Sequence, residues 1–372
     1  MSAAFAVSSE EAVALLERIV SIPSPSRSEA EASSALVEWM NASGFRAEVD
    51  GAGSAVGVRG EGEREILLLG HIDTFPGNPS VRNEDGVLHG RGAVDAKGPL
   101  CAFAVAAARV EVPDGWKVTV VGAVEEEAAT SKGARHVLQQ RLPPRGAPPI
   151  VCIIGEPSRW DRITLGYKGR LLFEVELRVP FAHSAGRERL PAERGVDLWS
   201  SLVSFCEARS AEARGEFDRL TPSLRAIASA DDGSHGRVSL STGFRLPPGV
   251  DPFELETALR SSVAVSARGA EILRCEFSGA EQAWRSSRVS PLVQAFLRSI
   301  RREGGEPGFV VKTGTSDMNV VAPSWPATPV VAYGPGDSSL DHTPEERIEL
   351  EEYLRAVRVL GLTLEHLLTA RG

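Results

Sequence analysis

The sequence predicts an α/β fold, a doubly wound and mainly parallel sheet with a smaller α+β module inserted into it. Three observations carry that prediction. Short apolar, β-branched runs, ILLLGHID, VTVVGAVEEE, IVCIIGEPS and much later PVVAYGPG, each end in glycine or acidic residues, as strands buried on both faces do. Segments with helical spacing lie between and around them, as crossover connections require. A middle stretch then changes to alternating patterns before the first pattern resumes.

Taken in order, Glu10 to Val20 carries apolar residues at helical spacing behind Ser8 and Ser9, which predicts a capped amphipathic helix. Ala30 to Met40 reads as a second helix, and the strands begin after Gly44. Between the first two strands lies GPLCAFAVAAARV, an Ala-rich segment that suits a crossover helix. LPPRGAPP, Leu142 to Pro149, is a surface loop before the third strand. From Lys168, LLFEVELRV alternates like a half-exposed strand, a helical stretch runs through LWSSLVSFCEARSAEA, and RVSLSTGFRL alternates again. The first pattern returns with PLVQAFLRSIRR and PVVAYGPG, so the expected division is a discontinuous domain of residues 1–167 and 278–372 around an insertion of residues 168–277.

A chain of 372 residues can hold two domains with a sizeable core. With 42 % apolar and 24 % charged residues it reads as globular rather than disordered. The first twenty residues lack a basic segment followed by an apolar run, and no later stretch approaches the roughly 20 apolar residues of a membrane span. The expectation is a cytoplasmic protein with no membrane partner. The four scattered cysteines form no C-x-x-C pair, which fits small buried hydrophobes in a reducing compartment. A net charge of −9 argues against nucleic acid as the main partner.

Several apolar runs end in residue types that bind metals, and an open α/β sheet places its ligand site at the carboxyl ends of its strands. ILLLGHID offers His71 and Asp73, two apart, so Asp73 is expected to hold the second ring nitrogen of His71. GRGAVDAKG delivers Asp95 from a glycine-flanked turn, and a carboxylate has two oxygens with which to bridge two cations about 3.5–4 Å apart. The next runs end in Glu125, Glu126 and Glu127 and in Glu156, and GDSSLDHTPEE supplies His342. A lone histidine at a strand end is more often structural, and a glutamate run is usually a solvated face. Here the run directly follows a strand that should be buried. Carboxylates converging at one sheet edge need compensating positive charge.

GHIDTFPG, GRGAVDAKGPL, the EEE run, GEPS, HSA and the closing GPG and HTPEE together resemble the zinc aminoacylase and dipeptidase family that includes acetylornithine deacetylase, succinyl-diaminopimelate desuccinylase and carboxypeptidase G. The likeness runs along nearly the whole chain in the same order. It implies a metal-dependent amidohydrolase with two divalent cations, Zn2+ first and Co2+ as the alternative that accepts the same ligands. By position it implies His71 and Glu156 on one cation, Glu126 and His342 on the other, Asp95 as the bridge, Glu125 as the general base and Asp73 as the support of His71. It further implies that the inserted module is a lid and dimerisation domain of a homodimer, whose His183, in FAHSAG, stabilises the oxyanion in the site of the partner subunit. Arg245, in STGFRLPP, matches a substrate-carboxylate arginine, and Gly314 and Thr315, in KTGTSDMN, match a substrate-lining loop.

Within that family, GRGAVDAKGPL and GEPSRWDRITLGYKGRL resemble the branch that releases lysine, and in some members ornithine, from the C-terminal glutamate of a small acidic amino-group carrier protein of the LysW type. That implies a place in lysine or arginine biosynthesis. Asp317 is then the candidate for lining the lysine ammonium. A small-substrate deacylase acting on acetylornithine or succinyl-diaminopimelate is the alternative, and a non-catalytic binding protein of the same fold a remote one.

Overall fold

The computed structural model describes residues 5–77, 79–180, 188–267 and 269–369. The chain divides into two compact units, one of residues 1–166, 286–311 and 316–372, the other of residues 167–285 and 312–315.

The larger unit carries a mixed sheet in which four strands, Trp116–Ala123, Arg64–His71, Val151–Gly155 and Val330–Tyr333, run parallel side by side. The doubly wound parallel core expected from the apolar runs is therefore present. Arg46–Val49 and Ala55–Gly60 extend it antiparallel on one side, and Arg162–Tyr167 pairs antiparallel with the last parallel strand. Register matters more here than strand count. His71 lies opposite Ala123, Gly70 opposite Gly155, and Gly155 opposite Tyr333, so the four parallel strands stop at one level. Whatever follows each strand in sequence is delivered to the same edge.

The helices have local causes. Ser8 caps Ser9–Ser21 through a reciprocal pair in which its Oγ accepts from Glu11 N at 3.1 Å and Glu11 Oε2 accepts from Ser8 N at 2.6 Å. Ala12, Leu15, Leu16, Ile19 and Val20 form its buried stripe. Lys97–Arg109 is buried all round except at its end, and its alanines allow close packing under the sheet. A side chain at Gly155 would come within 2.9 Å of Gly70 Cα and 3.0 Å of the Phe103 ring, so the strand can lie this close to the helix only without one. Leu350–Thr369 packs on Lys97–Arg109 and on Pro291–Arg302. A feature absent from the sequence reading is a small antiparallel sheet of Arg82–Glu84, Val87–His89 and Arg347–Glu349. Its strands are three residues long, too short for periodicity to register.

The smaller unit is an antiparallel sheet in the order Thr221–Asp231, His235–Leu246, Gly169–Pro180, Glu271–Glu281. The alternation in LLFEVELRV is realised, with Leu171, Phe173, Val175 and Leu177 buried against Leu198, Leu202 and Cys206 of the helix Pro191–Arg209 and Leu255, Leu259 and Val263 of Pro252–Ser266. Each of these helices has Pro in its first turn, and Asp251 caps the second by accepting from Phe253 N and Glu254 N.

Candidate metal centre

At the shared strand edge His71 is the last residue of its strand and is buried. Its Nδ1 lies 3.0 Å from the Asp73 carbonyl oxygen and 3.5 Å from Asp73 Oδ1, which leaves Nε2 pointing at Asp95 Oδ1 at 3.3 Å. Asp73 sits beyond the strand end rather than on a continued face. Its carboxylate does more than orient an imidazole: Oδ1 accepts from Glu126 N at 3.1 Å, and Oδ2 accepts from Glu127 N at 3.0 Å and Ser26 Oγ at 2.7 Å. The fully buried Asp73 thus ties the end of one strand to the turn after the next.

Asp95 is the hub. Its Oδ1 faces His71, and its Oδ2 lies 3.0 Å from His342 Nε2, so each carboxylate oxygen meets a different imidazole. His342 Nε2 is also 2.9 Å from Glu127 Oε1. Ligating atoms of Asp95, Glu127 and His342 lie within 4.8 Å of one another, a span that one cation could share. The His342 ring stacks on Phe75 at 4.4 Å between centroids. Glu156 follows Gly155, which lies opposite the residue before His71, and it is buried at the same edge.

The glutamate run sits one residue out of step with the expectation. The carboxylate beside His342 belongs to Glu127, where Glu126 was expected. Glu125, expected as the base, turns away: its Oε2 accepts from Thr130 Oγ1 at 2.9 Å, its Oε1 lies 3.6 Å from Lys132 Nζ, and Arg27 Nε stands 3.9 Å off. The cause is in the backbone. The strand stops at Ala123, and Glu125 takes a left-handed φ of +59°, so strand alternation no longer assigns faces to the residues that follow. Glu126 instead keeps company with Asp317, Glu156 and Glu127 as negative neighbours and His71 as a positive one.

Charge follows from this crowding. Burial raises the Glu126 carboxyl well above its ordinary value, helped by repulsion from Asp317, Glu156 and Glu127 and opposed by His71. Burial also raises Glu127. Against the cost of burial, hydrogen bonds to His342 and His71 hold Asp95 far below the usual carboxylate range. Hydrogen bonds to Asp95 and Glu127 push His342 up to about 10. Asp73 and Asp95 lie against His71, Asp95 and Glu127 against His342, and Glu156 and Asp317 beside Glu126, so acidic groups outnumber the two imidazoles at this edge. Oxygen and imidazole donors with a two-faced carboxylate at their centre fit a pair of borderline divalent cations.

Residues that the sequence reading passed over hold this centre together. In the Ser- and Pro-rich stretch SIPSPSRSEAE, Ser24 Oγ donates to Ile72 O, Ser26 Oγ to Asp73, and the buried Glu29 accepts from Glu125 N at 3.1 Å and Arg27 N at 2.8 Å. Short hydroxyls and carboxylates clustered between two helices were the available signal. Lys97 is buried and donates to Ile19 O and Ile22 O, and burial pushes its amine down to about 8.

In the smaller unit Arg245 is half-buried and donates to Thr315 Oγ1 at 2.7 Å, and that hydroxyl donates to Lys168 O at 2.9 Å. A side chain at Gly314 would meet nothing within 4 Å, so the fold itself does not require glycine there. Lys168 donates to Glu216 O and Thr221 Oγ1. His183 lies outside the described residues. Among the described residues no helix is long and apolar enough to cross a membrane.

Comparison with known proteins bears on this centre. The model of peptidase family M20/M25/M40 matches residues 67–366. The chain is 46 % identical over 360 residues to the LysW-lysine hydrolase of Deinococcus radiodurans, covering 95 % of this chain and 96 % of that one. It is 28 % identical over 358 residues to a LysW-lysine/LysW-ornithine hydrolase of Saccharolobus islandicus, with 96 % of each covered. Among solved structures, an M20 family metallo-carboxypeptidase from Sulfolobus solfataricus superposes with a TM-score of 0.79 at 20 % identity, over 97 % of this chain and 100 % of that one.

Proposed function

Because the chain belongs to peptidase family M20/M25/M40, we propose that it is a metal-dependent amidohydrolase that releases lysine, with ornithine as a second cargo, from the C-terminal glutamate of a LysW-type amino-group carrier protein. The observation that carries the chemistry is Asp95, with one carboxylate oxygen on each of two imidazoles. The substrate class rests on likeness to relatives named for that reaction along nearly their whole length.

His71, Asp95 and Glu156 would hold one divalent cation and Asp95, Glu127 and His342 the other, zinc or cobalt, which when bound acidify water and polarise the amide carbonyl. Glu126 is the general base. Its ionised carboxylate takes the proton of the attacking water and returns it to the leaving α-amine. Asp73 fixes that carboxylate by gripping the amides of Glu126 and Glu127 while it orients His71. Glu125 takes no part in the chemistry and anchors the turn. Arg245 receives the free α-carboxylate of the departing amino acid, with Thr315 holding its guanidinium and the open space at Gly314 admitting the substrate chain. His183 supplies the oxyanion contact in the partner subunit, so the working form is a cytoplasmic homodimer. The edge strand Thr221–Asp231, with Leu224 and Ile227 exposed, supports a dimerising role for the smaller unit.

The test incubates zinc- or cobalt-loaded protein with carrier-linked lysine, carrier-linked ornithine and acetylornithine and follows products by mass spectrometry. Release of lysine from the carrier, its loss after chelation and its return with metal are expected. Hydrolysis of acetylornithine with no action on the carrier would instead make the protein a small-substrate deacylase.

A further inference from the structure

Asp95 and His342 come from segments far apart in the chain, and nothing in their own backbone requires them to meet. Two side chains outside the ligand set do the joining. Glu346 is fully buried, and its Oε1 accepts three backbone amides of the turn that presents Asp95: Gly92 at 2.9 Å, Val94 at 3.1 Å and Asp95 itself at 3.1 Å. Its Oε2 takes Arg91 Nη1 at 2.7 Å, a buried pair 255 positions apart in the chain. Arg91 then turns to the other segment, donating from Nη1 to Thr343 O at 3.2 Å and from Nη2 to His342 O at 3.4 Å. Its guanidinium lies 5.9 Å from the centre of the Phe75 ring, the ring on which the His342 imidazole stacks.

His342 also has a left-handed φ of +63°, a conformation that a non-glycine residue keeps only where surrounding contacts over-determine it. Arg91 binds the carbonyl of that same residue.

We infer that Arg91 and Glu346 form a positioning clamp that sets the separation between Asp95 and His342, and hence the geometry at which the second cation is held. This rests on the two-cation reading of the centre. Neither residue touches a reacting atom. Glu346 freezes the Asp95 turn, Arg91 freezes the His342 backbone and its stacking ring, and the ion pair locks the two together. The pair acts on the ion shared by Asp95, Glu127 and His342, and leaves the His71 side to Asp73.

The test uses metal-free full-length protein titrated with cobalt by calorimetry and by visible absorption, with thermal unfolding as the folding control. Glu346→Gln keeps one oxygen for the amides and sets an amide against Arg91; Arg91→Lys keeps the charge and loses the forked donors. Wild type should take up two equivalents. Each variant should bind one equivalent as wild type does and the other about 10–100-fold more weakly, with an altered ligand-field band for that ion. With carrier-linked lysine, kcat should fall while KM stays within about threefold, because the clamp does not bind substrate. Glu65→Gln, which breaks the buried Arg141 pair at the opposite end of the His71 strand, should lower thermal stability and leave both cobalt affinities and the band unchanged. Two equally tight equivalents and an unshifted band in folded Glu346→Gln and Arg91→Lys would overturn the clamp alone. Fewer than two equivalents in wild type would sink the two-cation reading and the clamp with it. Should Glu346→Gln fail to fold, Arg91→Lys carries the same measurements.

Discussion

Three consecutive glutamates make a direct test, because the three carboxylates have different surroundings and should respond differently to one isosteric change. Glu125→Gln removes a charge whose neighbours are Thr130, the half-exposed Lys132 and the largely exposed Arg27. Long pairs of this kind, with a solvent-exposed cation, contribute about 0–1 kcal/mol, so stability should fall by no more than that and kcat should stay within about threefold. Glu126→Gln removes the proposed proton carrier. General acid–base catalysis supplies about 10²–10⁴-fold, or roughly 3–5 kcal/mol of barrier, so kcat should fall by at least that factor while two metal equivalents remain bound. Glu127→Gln removes the charge of the carboxylate beside His342 and replaces one of its oxygens with an amide nitrogen, and should cost affinity for one of the two ions, with activity partly restored at high metal concentration. Steady-state release of lysine from the carrier and metal content by plasma mass spectrometry read all three. An inactive Glu125→Gln beside an active, metal-replete Glu126→Gln would refute the role of the left-handed turn and return the base to Glu125.

Other expectations follow from the same contacts. Asp73→Ala removes three accepted hydrogen bonds of about 1 kcal/mol each from a buried site, so chemical denaturation should show a loss of about 3 kcal/mol together with weaker metal binding. Leu100→Ala opens a cavity beneath Gly70 and Gly122 and should cost about 3 kcal/mol in the same assay. Ser8→Ala should cost about 1 kcal/mol by removing the first helical cap. His342 has a folded pKa raised to about 10 by Asp95 and Glu127. Its contribution is therefore full below the unfolded value of about 6.5 and lost as pH rises toward 10. Metal-free protein should lose thermal stability across that window, and His342→Gln should flatten the slope.

The sequence exposed most of the fold because its signals were strong and local: apolar runs of strand length, an amphipathic stripe behind Ser8, a clean alternation in LLFEVELRV. It exposed several of the site segments for a related reason, since His71 ends a strand, the glutamate run and Glu156 follow strands, and Asp95 follows a glycine-flanked turn. What it could not carry was anything set by a single dihedral. The positive φ of Glu125 decides which of three identical side chains faces Asp95, and identical residues leave no pattern from which to read it. The three-residue strands near residues 82–89 and 347–349 were lost to their length. Glu29 and Glu346 were lost because they act through backbone amides, and Ser26 because it acts through the carboxylate of Asp73, contacts that composition and spacing do not record.

Two carboxylates, Asp73 and Glu346, share one design on opposite flanks of the centre. Each is buried, and each spends its charge on backbone amides of a segment that carries a candidate ligand: Glu126 and Glu127 for the first, Gly92 to Asp95 for the second. A buried carboxylate is costly unless hydrogen-bonded, and several amide donors are what make it tolerable. The same bonds remove the freedom of turns that would otherwise spread under the repulsion among Asp95, Glu126, Glu127 and Glu156. Electrostatic crowding around the candidate cations is thus maintained by negative charges that are not ligands at all. Weakening either anchor should therefore loosen metal binding without altering any ligand, whereas a purely local ligand mutation such as Glu127→Gln should leave the other flank's backbone unchanged in hydrogen exchange. If Asp73→Ala and Glu346→Gln instead perturbed exchange across the whole sheet and left metal affinity intact, the anchors would be parts of the core and the centre would hold itself together.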